Sequence, residues 1–432
     1  MTTQTASKSG DELSRTAIFA LCWLVLLADG YDLYVYGATI PGFVNTPPWN
    51  ATTTSAGLVG SIALVGMLCG SLLAGICTNR FGPRRLVIGS VAVFATAMLA
   101  CSLAPNFAIF GVFRFIACVG LGCLLPTAVA LTNEFAPMES KSIVLGVVLT
   151  GPVIGTVVAA AAAMWLVPEF GVRPVYAVGG LALLLLPILA RFIPESPAFL
   201  HVSGRSAEAR SLALTYGLEL EAGAVPASES ESRSGIGILL SGAYLRATLG
   251  MWLMCMSSLL VMFGLSTWLP QVMKNAGMET SIAISFLLFY SLGGLVGTVA
   301  ASLISQRTAP KYMVFVGFLS AAFALAFATT DVGLPALIAA IIVAGFGGMG
   351  TQNMINDHVA QFYPSRIRAA GLGWLLAIGR LGAIAAPTYG ALLIGPDGEI
   401  QAAALAFGIP AAIGAIVAMV LPRHSTDQVA AA

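Results

Sequence analysis

Charge is what this sequence has least of. Only 9% of its 432 residues are Asp, Glu, Lys or Arg, against about 25% in an ordinary soluble domain. A water-exposed surface for a chain of this length cannot be built from so few. Twenty basic residues stand against 19 acidic ones, a net charge of +1, which removes the electrostatic basis for nucleic acid or an acidic partner. Histidine occurs three times, and only His358 lies near an apolar segment. A membrane-embedded enzyme, which needs a cluster of His, Cys or carboxylates, is therefore set aside. The seven cysteines, Cys22, Cys69, Cys77, Cys101, Cys118, Cys123 and Cys255, sit in apolar stretches without a Cys-x-x-Cys pair. They read as free buried thiols rather than zinc ligands. The run Gly345-Phe-Gly-Gly-Met-Gly350 has no following Lys and no preceding strand; it is a helix-packing or bending element, not a phosphate loop.

What the chain has in abundance is hydrophobic residues, 58% of the total, in runs of the roughly 20 residues that span a bilayer. The polar residues 1–15 precede a run too long for a signal-peptide core and without a small-residue cleavage site, so the first helix is expected to stay. Apolar helices are predicted over 16–41, 55–78, 85–104, 107–134, 142–166, 174–194, 243–269, 281–305, 311–329, 334–358, 367–394 and 401–421, with Pro, Gly, Asn and charge clusters marking their ends. The fold class is an all-α polytopic membrane protein of twelve spans, its lipid bilayer the first partner.

Sixteen of the twenty basic residues fall on one side of these spans. They include Lys8, Arg15, Arg80, Arg84, Arg85, Lys141, Arg233, Arg307 and Arg423. The positive-inside rule makes that side, and both termini, cytoplasmic. Arg173 and Lys274 lie opposite, and Arg114 and Arg380 fall inside helices. The Ser/Glu-rich interval 201–240, with a short helix expected over 205–218, splits the spans six and six. The predicted organisation is an N-terminal tail (1–15), a six-helix half (16–200), a linker (201–240), a second half (241–422) and a C-terminal tail (423–432). A shift of 227 residues carries Phe135 and Pro137 onto Phe362 and Pro364, Leu145-Gly146 onto Leu372-Gly373, Lys141 onto Arg368, Arg80 onto Arg307 and Pro83 onto Pro310. Two parallel repeats follow, with a substrate site expected near the midplane between them and transport by rocking of the halves.

The loop Gly75-Ile-Cys-Thr-Asn-Arg80-Phe-Gly82-Pro-Arg84-Arg85 resembles the signature loop of the major facilitator superfamily. Asp29-Gly-Tyr-Asp32 looks like the Asp-Gly-x-Asp signature of its aromatic acid:proton symporters, which carry benzoate and hydroxybenzoate-like anions. Arg114 to Gly122, Pro126 to Pro137, Pro194-Glu-Ser-Pro197 and Gly379-Arg-Leu-Gly382 extend the resemblance over nearly the whole chain. It implies a twelve-helix major facilitator fold in a bacterial inner membrane. Two features depart from the pattern. Asn79 stands where the signature loop normally has an acid that latches the halves, which turns attention to Glu134 and Glu195 as partners of Arg80 or Arg84. Gly151-Pro-Val-Ile-Gly155 resembles an element of drug:proton antiporters.

A charge inside a spanning helix is a functional hypothesis by default. Asp29, Asp32 and Tyr36 stand at i, i+3 and i+7, one face of the first helix. Arg114, about 10 Å from the outer edge of its helix, matches the depth of Asp32, and Arg380, about 20 Å in, matches that of Asp29. Asp32 is expected to carry a proton and exchange partnership with Arg114 while Asp29 sets the cavity charge; a permanent ion pair joining helices 1 and 4 is the alternative. Arg380 suits a substrate carboxylate, or else bonds to Asp29 or to backbone carbonyls. Tyr31, Tyr36, Phe263, Trp268, Tyr290 and Trp374 are possible aromatic walls, with Tyr36 and Trp374 the two chosen as candidates. Gln352 and Asn356, at i and i+4, are joined by Asn353, Thr127 and Asn133 as polar contacts to substrate or between helices. Asn79, Arg80, Arg84 and Glu134 are candidate gating residues, with Lys141 beside them, and His358 next to Asp357 is expected to be a solvated helix-end pair.

The function expected is import of a small aromatic carboxylate with a proton, by alternating access, in a monomer without cofactor that draws on the proton gradient. A proton-coupled drug antiporter of the same fold is the alternative, although Arg380 suits an anion better than a cationic cargo.

Overall fold

The computed structural model describes residues 15–218, 237–242, 244–304, 309–330, 332–395 and 399–421. The N-terminal tail with Lys8, the linker segment with Arg233, the loop with Arg307 and the C-terminal tail with Arg423 lie outside the described residues.

Among the described residues, twelve helices are long and apolar enough to cross a membrane: α1 (Arg15–Phe43), α2 (Thr53–Phe81), α3 (Pro83–Leu103), α4 (Phe107–Phe135), α5 (Ile143–Phe170), α6 (Arg173–Phe192), α7 (Leu245–Asn275), α8 (Thr280–Ala300), α9 (Pro310–Phe327), α10 (Leu334–Phe362), α11 (Arg366–Ile394) and α12 (Ile400–Val420). Their backbone groups must be satisfied internally, which leaves helix as the available form for such runs in lipid. Their starts follow ordinary capping chemistry. Thr52 and Ser55 form a capping box before α2, the Asn106 side chain accepts from the Ile109 N–H at α4, and prolines open α3 and α9; each satisfies or removes an orphan donor.

Two helices are less regular than the sequence suggests. The fifth is broken at Leu149, between Lys141–Val148 and Thr150–Phe170. Pro152 has no N–H for the carbonyl of Val148, and the first segment ends there. In α6 a 3-10 turn, Leu181–Leu184, divides two short helices; Pro187 leaves the Leu183 carbonyl without its helical donor. The linker interval holds the helices Pro197–Val202 and Ser206–Tyr216, the second where a short helix was expected.

The packing repeats with the sequence. In the first half α1 lies against α5, α2 and α3 against α4, and α3 against α6; in the second half α7 lies against α11, α8 and α9 against α10, and α9 against α12. The halves meet where α1 faces α7, α2 faces α11 and α5 faces α8. Adding six to each member of one such pair gives another, as a twofold relation between six-helix halves requires.

Near the end of the bundle away from the basic loops, the halves are drawn tightly together. Gly57 and Gly60 of α2 press on Pro387 and Ala391 of α11, and the Ser61 and Thr388 hydroxyls are 2.8 Å apart. Lys274 donates to the Pro41 carbonyl at 2.5 Å, and Ser281 of α8 to Met164 of α5 at 3.4 Å. Gly37 of α1 has no room for a β-carbon, which would overlap the Ser266 carbonyl of α7. Toward the basic end the same helices part. A β-carbon on Gly75 of α2, Gly146 of α5 or Gly373 of α11 would meet nothing within 4 Å. The molecule is closed at its far end and open at its basic end.

Candidate functional site

The site begins with the close packing of α1. Gly30, between the two aspartates, lies directly on the Pro152 backbone, and Gly155 packs on the Leu27 carbonyl. Any side chain at Gly30 would push α1 off α5. The Gly151 to Gly155 element is thus the seat of the aspartate-bearing helix.

From that seat α1 turns Asp32 toward α4. Arg114 donates from one terminal nitrogen to Asp32 Oδ1 at 2.6 Å and from the other to the Asp32 carbonyl at 2.6 Å. Both residues are fully enclosed, at 2% and 0% exposure. The guanidinium also stands 5.9 Å from the ring centroid of Tyr36, and the Tyr36 hydroxyl donates to the Ala56 carbonyl at 2.5 Å. Satisfaction is incomplete. Asp32 Oδ2, Arg114 Nε and Asp29 Oδ1 are buried without hydrogen-bond partners. Among the described residues, Asp29 makes no ion pair.

Arg380 is half-buried on α11 and donates to the Ser71 hydroxyl of α2, across the two halves. Its contact is therefore neither Asp29 nor a backbone carbonyl. Between Arg380 and the closed far end lies a narrow cavity of about 20 Å³, bounded by Leu33, Tyr36 and Arg114 in one half and by Phe263, Thr267 and Pro387 in the other.

Other candidates from the sequence lie away from this cavity. Trp374 packs against Trp252 with centroids 6.4 Å apart. Gln352 donates to Asn356 at 3.4 Å and to the Cys255 sulfur at 3.4 Å, and Asn353 donates to Thr298 at 3.5 Å. Thr127 spends its hydroxyl on the Cys123 carbonyl at 2.7 Å. His358 is 3% exposed, with Phe362 centred 6.2 Å away. It is not a solvated residue, because the α10 end that carries it is covered by packing.

At the basic end the charged residues named as gating candidates are engaged within their own half. The Arg84 N–H donates to Glu195 at 3.1 Å, and its guanidinium to the Ala190 carbonyl. Glu134 accepts from the Ser196 hydroxyl at 2.5 Å. Arg80 stands over the Phe81 ring at 5.4 Å, and exposed Asn79 makes no hydrogen bond among the described residues.

Phe263, one of the possible aromatic walls in the sequence, does line the cavity, but the sequence reading did not find Ser71 or Thr267. Each is an unremarked residue in its own helix and gains meaning only from what faces it. The available signal was the polar pair Ser266-Thr267 inside an apolar run.

The model of the Major Facilitator Superfamily matches residues 22–387 and 290–431. A gentisate transporter of Corynebacterium glutamicum is 32% identical over 95% of this chain and 88% of its own. A 4-hydroxybenzoate transporter of Pseudomonas putida is 30% identical over 92% of this chain and 90% of its own. Among solved structures, the xylose transporter of Escherichia coli in a partially occluded inward-open conformation superposes with a TM-score of 0.73 at 19% identity, covering 94% of this chain and 96% of that one.

Proposed function

The chain belongs to the major facilitator superfamily, and from that premise we propose that it imports small aromatic carboxylates together with protons across a bacterial inner membrane by alternating access. The observation that carries the reading is the buried Asp32–Arg114 pair with unpartnered Asp29 one turn away. A pair held only for structure would need one carboxylate, and its unsatisfied atoms would be a pure cost. Proton transfer gives them a purpose. Asp32 carries the coupled proton and releases Arg114 when it takes it; Asp29, which makes no ion pair among the described residues, supplies a second protonation site.

Arg380 is the group that meets the carboxylate. It stands between the open end and the cavity, its guanidinium matches a planar anion in two-pronged fashion, and its present partner is a neutral hydroxyl that an anion displaces. Tyr36 forms part of the aromatic wall. Trp374, Gln352, Asn356 and Thr127 line or brace the route, and Asn79, Arg80, Arg84 and Glu134 shape the basic end that closes in the opposite state. The basic end is cytoplasmic by the positive-inside rule, with both termini there. The working unit is a monomer without cofactor, since the two halves supply the interface that transport requires.

The energetics require the proton. Moving an anion inward against an inside-negative potential is opposed by about 2.3 kcal/mol per charge per 100 mV, so one proton restores electroneutrality and a second draws on the potential. The antiporter-like element of α5 has a packing explanation beneath α1, and nothing else in the site favours a cationic cargo. The test is uptake of radiolabelled benzoate and 4-hydroxybenzoate into proteoliposomes under an inward proton gradient. Accumulation by the native protein, lost in Asp32→Asn with counterflow exchange retained, is the expected result. Gradient-independent uptake by the native protein would remove the proton from the mechanism, and no uptake of either acid would remove the substrate class.

A further inference from the structure

A threonine inside a helix ordinarily spends its hydroxyl on a carbonyl one turn back. Thr39, Thr127, Thr132, Thr156 and Thr351, all buried, do so, and Thr248 donates to the Leu239 carbonyl. Thr267 is the exception. It is 7% exposed, and among the described residues its hydroxyl makes no hydrogen bond.

Its position explains why this matters. Thr267 borders the cavity between the halves, with the rings of Tyr36 and Phe263 among the other walls. Pro387 borders it too. Pro387 lies seven residues beyond Arg380 on α11, about 10 Å nearer the far end. The cavity thus has a cation below it, aromatic and aliphatic sides, and an unspent hydroxyl above.

We propose that the ring of the transported acid lies between Arg380 and this cavity, carboxylate toward Arg380, and that the cavity takes a hydroxyl on the opposite edge of that ring, which Thr267 reads. The inference rests on the aromatic-acid reading above. The Thr267 hydroxyl oxygen is accessible from the cavity rather than sealed off; once a ring covers it, a substrate that brings its own hydroxyl satisfies it, and an unsubstituted ring leaves it buried without a partner, at a cost. Phe263 and Tyr36 supply the ring contacts, in the offset or edge-on geometries that aromatic groups prefer. Thr267 is then a determinant of selectivity among aromatic acids, distinct from the residues that hold the carboxylate or the proton.

The experiment is proteoliposome uptake of radiolabelled 4-hydroxybenzoate and benzoate by the native protein, Thr267→Val and Thr267→Ser. The quantity read is the ratio of the two kcat/KM values, which does not depend on how much protein is folded. Thr267→Val, which keeps the shape and deletes the hydroxyl, is expected to lower the 4-hydroxybenzoate preference by roughly tenfold, and Thr267→Ser to keep it. A ratio unchanged in Thr267→Val would overturn this inference alone. Native protein that takes up neither acid would sink the aromatic-acid reading and this inference with it.

Discussion

Among the described residues Asp29 is a buried carboxyl group that makes no ion pair, and Asp32, one turn on, is bound to Arg114 at 2.6 Å. Their substitutions should therefore diverge. Asp29→Asn replaces an unpaired acid by a neutral group of the same shape and is expected to unfold within a few degrees of the native protein in detergent. Asp32→Asn leaves the Arg114 charge enclosed and unpaired, a change that typically costs about 3–5 kcal/mol, and is expected to lower the thermal midpoint clearly. Pairing it with Arg114→Gln removes the orphan charge and should recover most of that loss without recovering gradient-driven uptake. If the double variant stays as unstable as the single one, the pair is not the source of the cost. The four intramembrane charges were legible in the sequence because a charge in an apolar run is an outlier whatever surrounds it. Ser71 and Thr267 were not, because a hydroxyl in such a run is ordinary until its partner, or the lack of one, is known.

Helices in this molecule are positioned by small residues as much as by apolar ones. Gly37 meets the Ser266 backbone and Gly30 the Pro152 backbone, and the two contacts do different work. The first joins the halves at the closed end; the second holds α1 within its own half. Gly37→Val is expected to pry open the far end, and a membrane-impermeant maleimide applied from that side should then label a cysteine placed at Ser61 that is shielded in the otherwise native background. Gly30→Ala should instead abolish transport without exposing Ser61→Cys, because α1 shifts against α5 and takes both aspartates with it. Equal labelling in the two variants would show that the contacts are not separable. The twelve spans could be placed from the sequence because apolar length alone specifies them. The break at Leu149 follows from Pro152, a residue in plain view, but the sequence does not say whether a proline in a buried helix kinks it or is absorbed.

The twofold arrangement of the halves was visible in a constant shift of 227 residues, yet which end stands open was not. That depends on how far apart two surfaces sit, and both surfaces have the same composition in either state. The α2–α11 contact carries the consequence. Gly57 touches Ala391 at the closed end, and Gly75 and Gly373 each look into open space. Residue 75 lies 18 positions beyond residue 57 and residue 373 lies 18 before residue 391, which at 3.6 residues per turn is five whole turns along the same faces of two antiparallel helices. The two pairs are therefore alternative ends of a single seam. The molecule works as a seesaw whose pivot lies near Ser71 and Arg380, and one pair of small residues must be apart whenever the other is together. Cysteines at Gly75 and Gly373 should cross-link only while the far end is open, and a disulfide formed there would hold the protein facing outward.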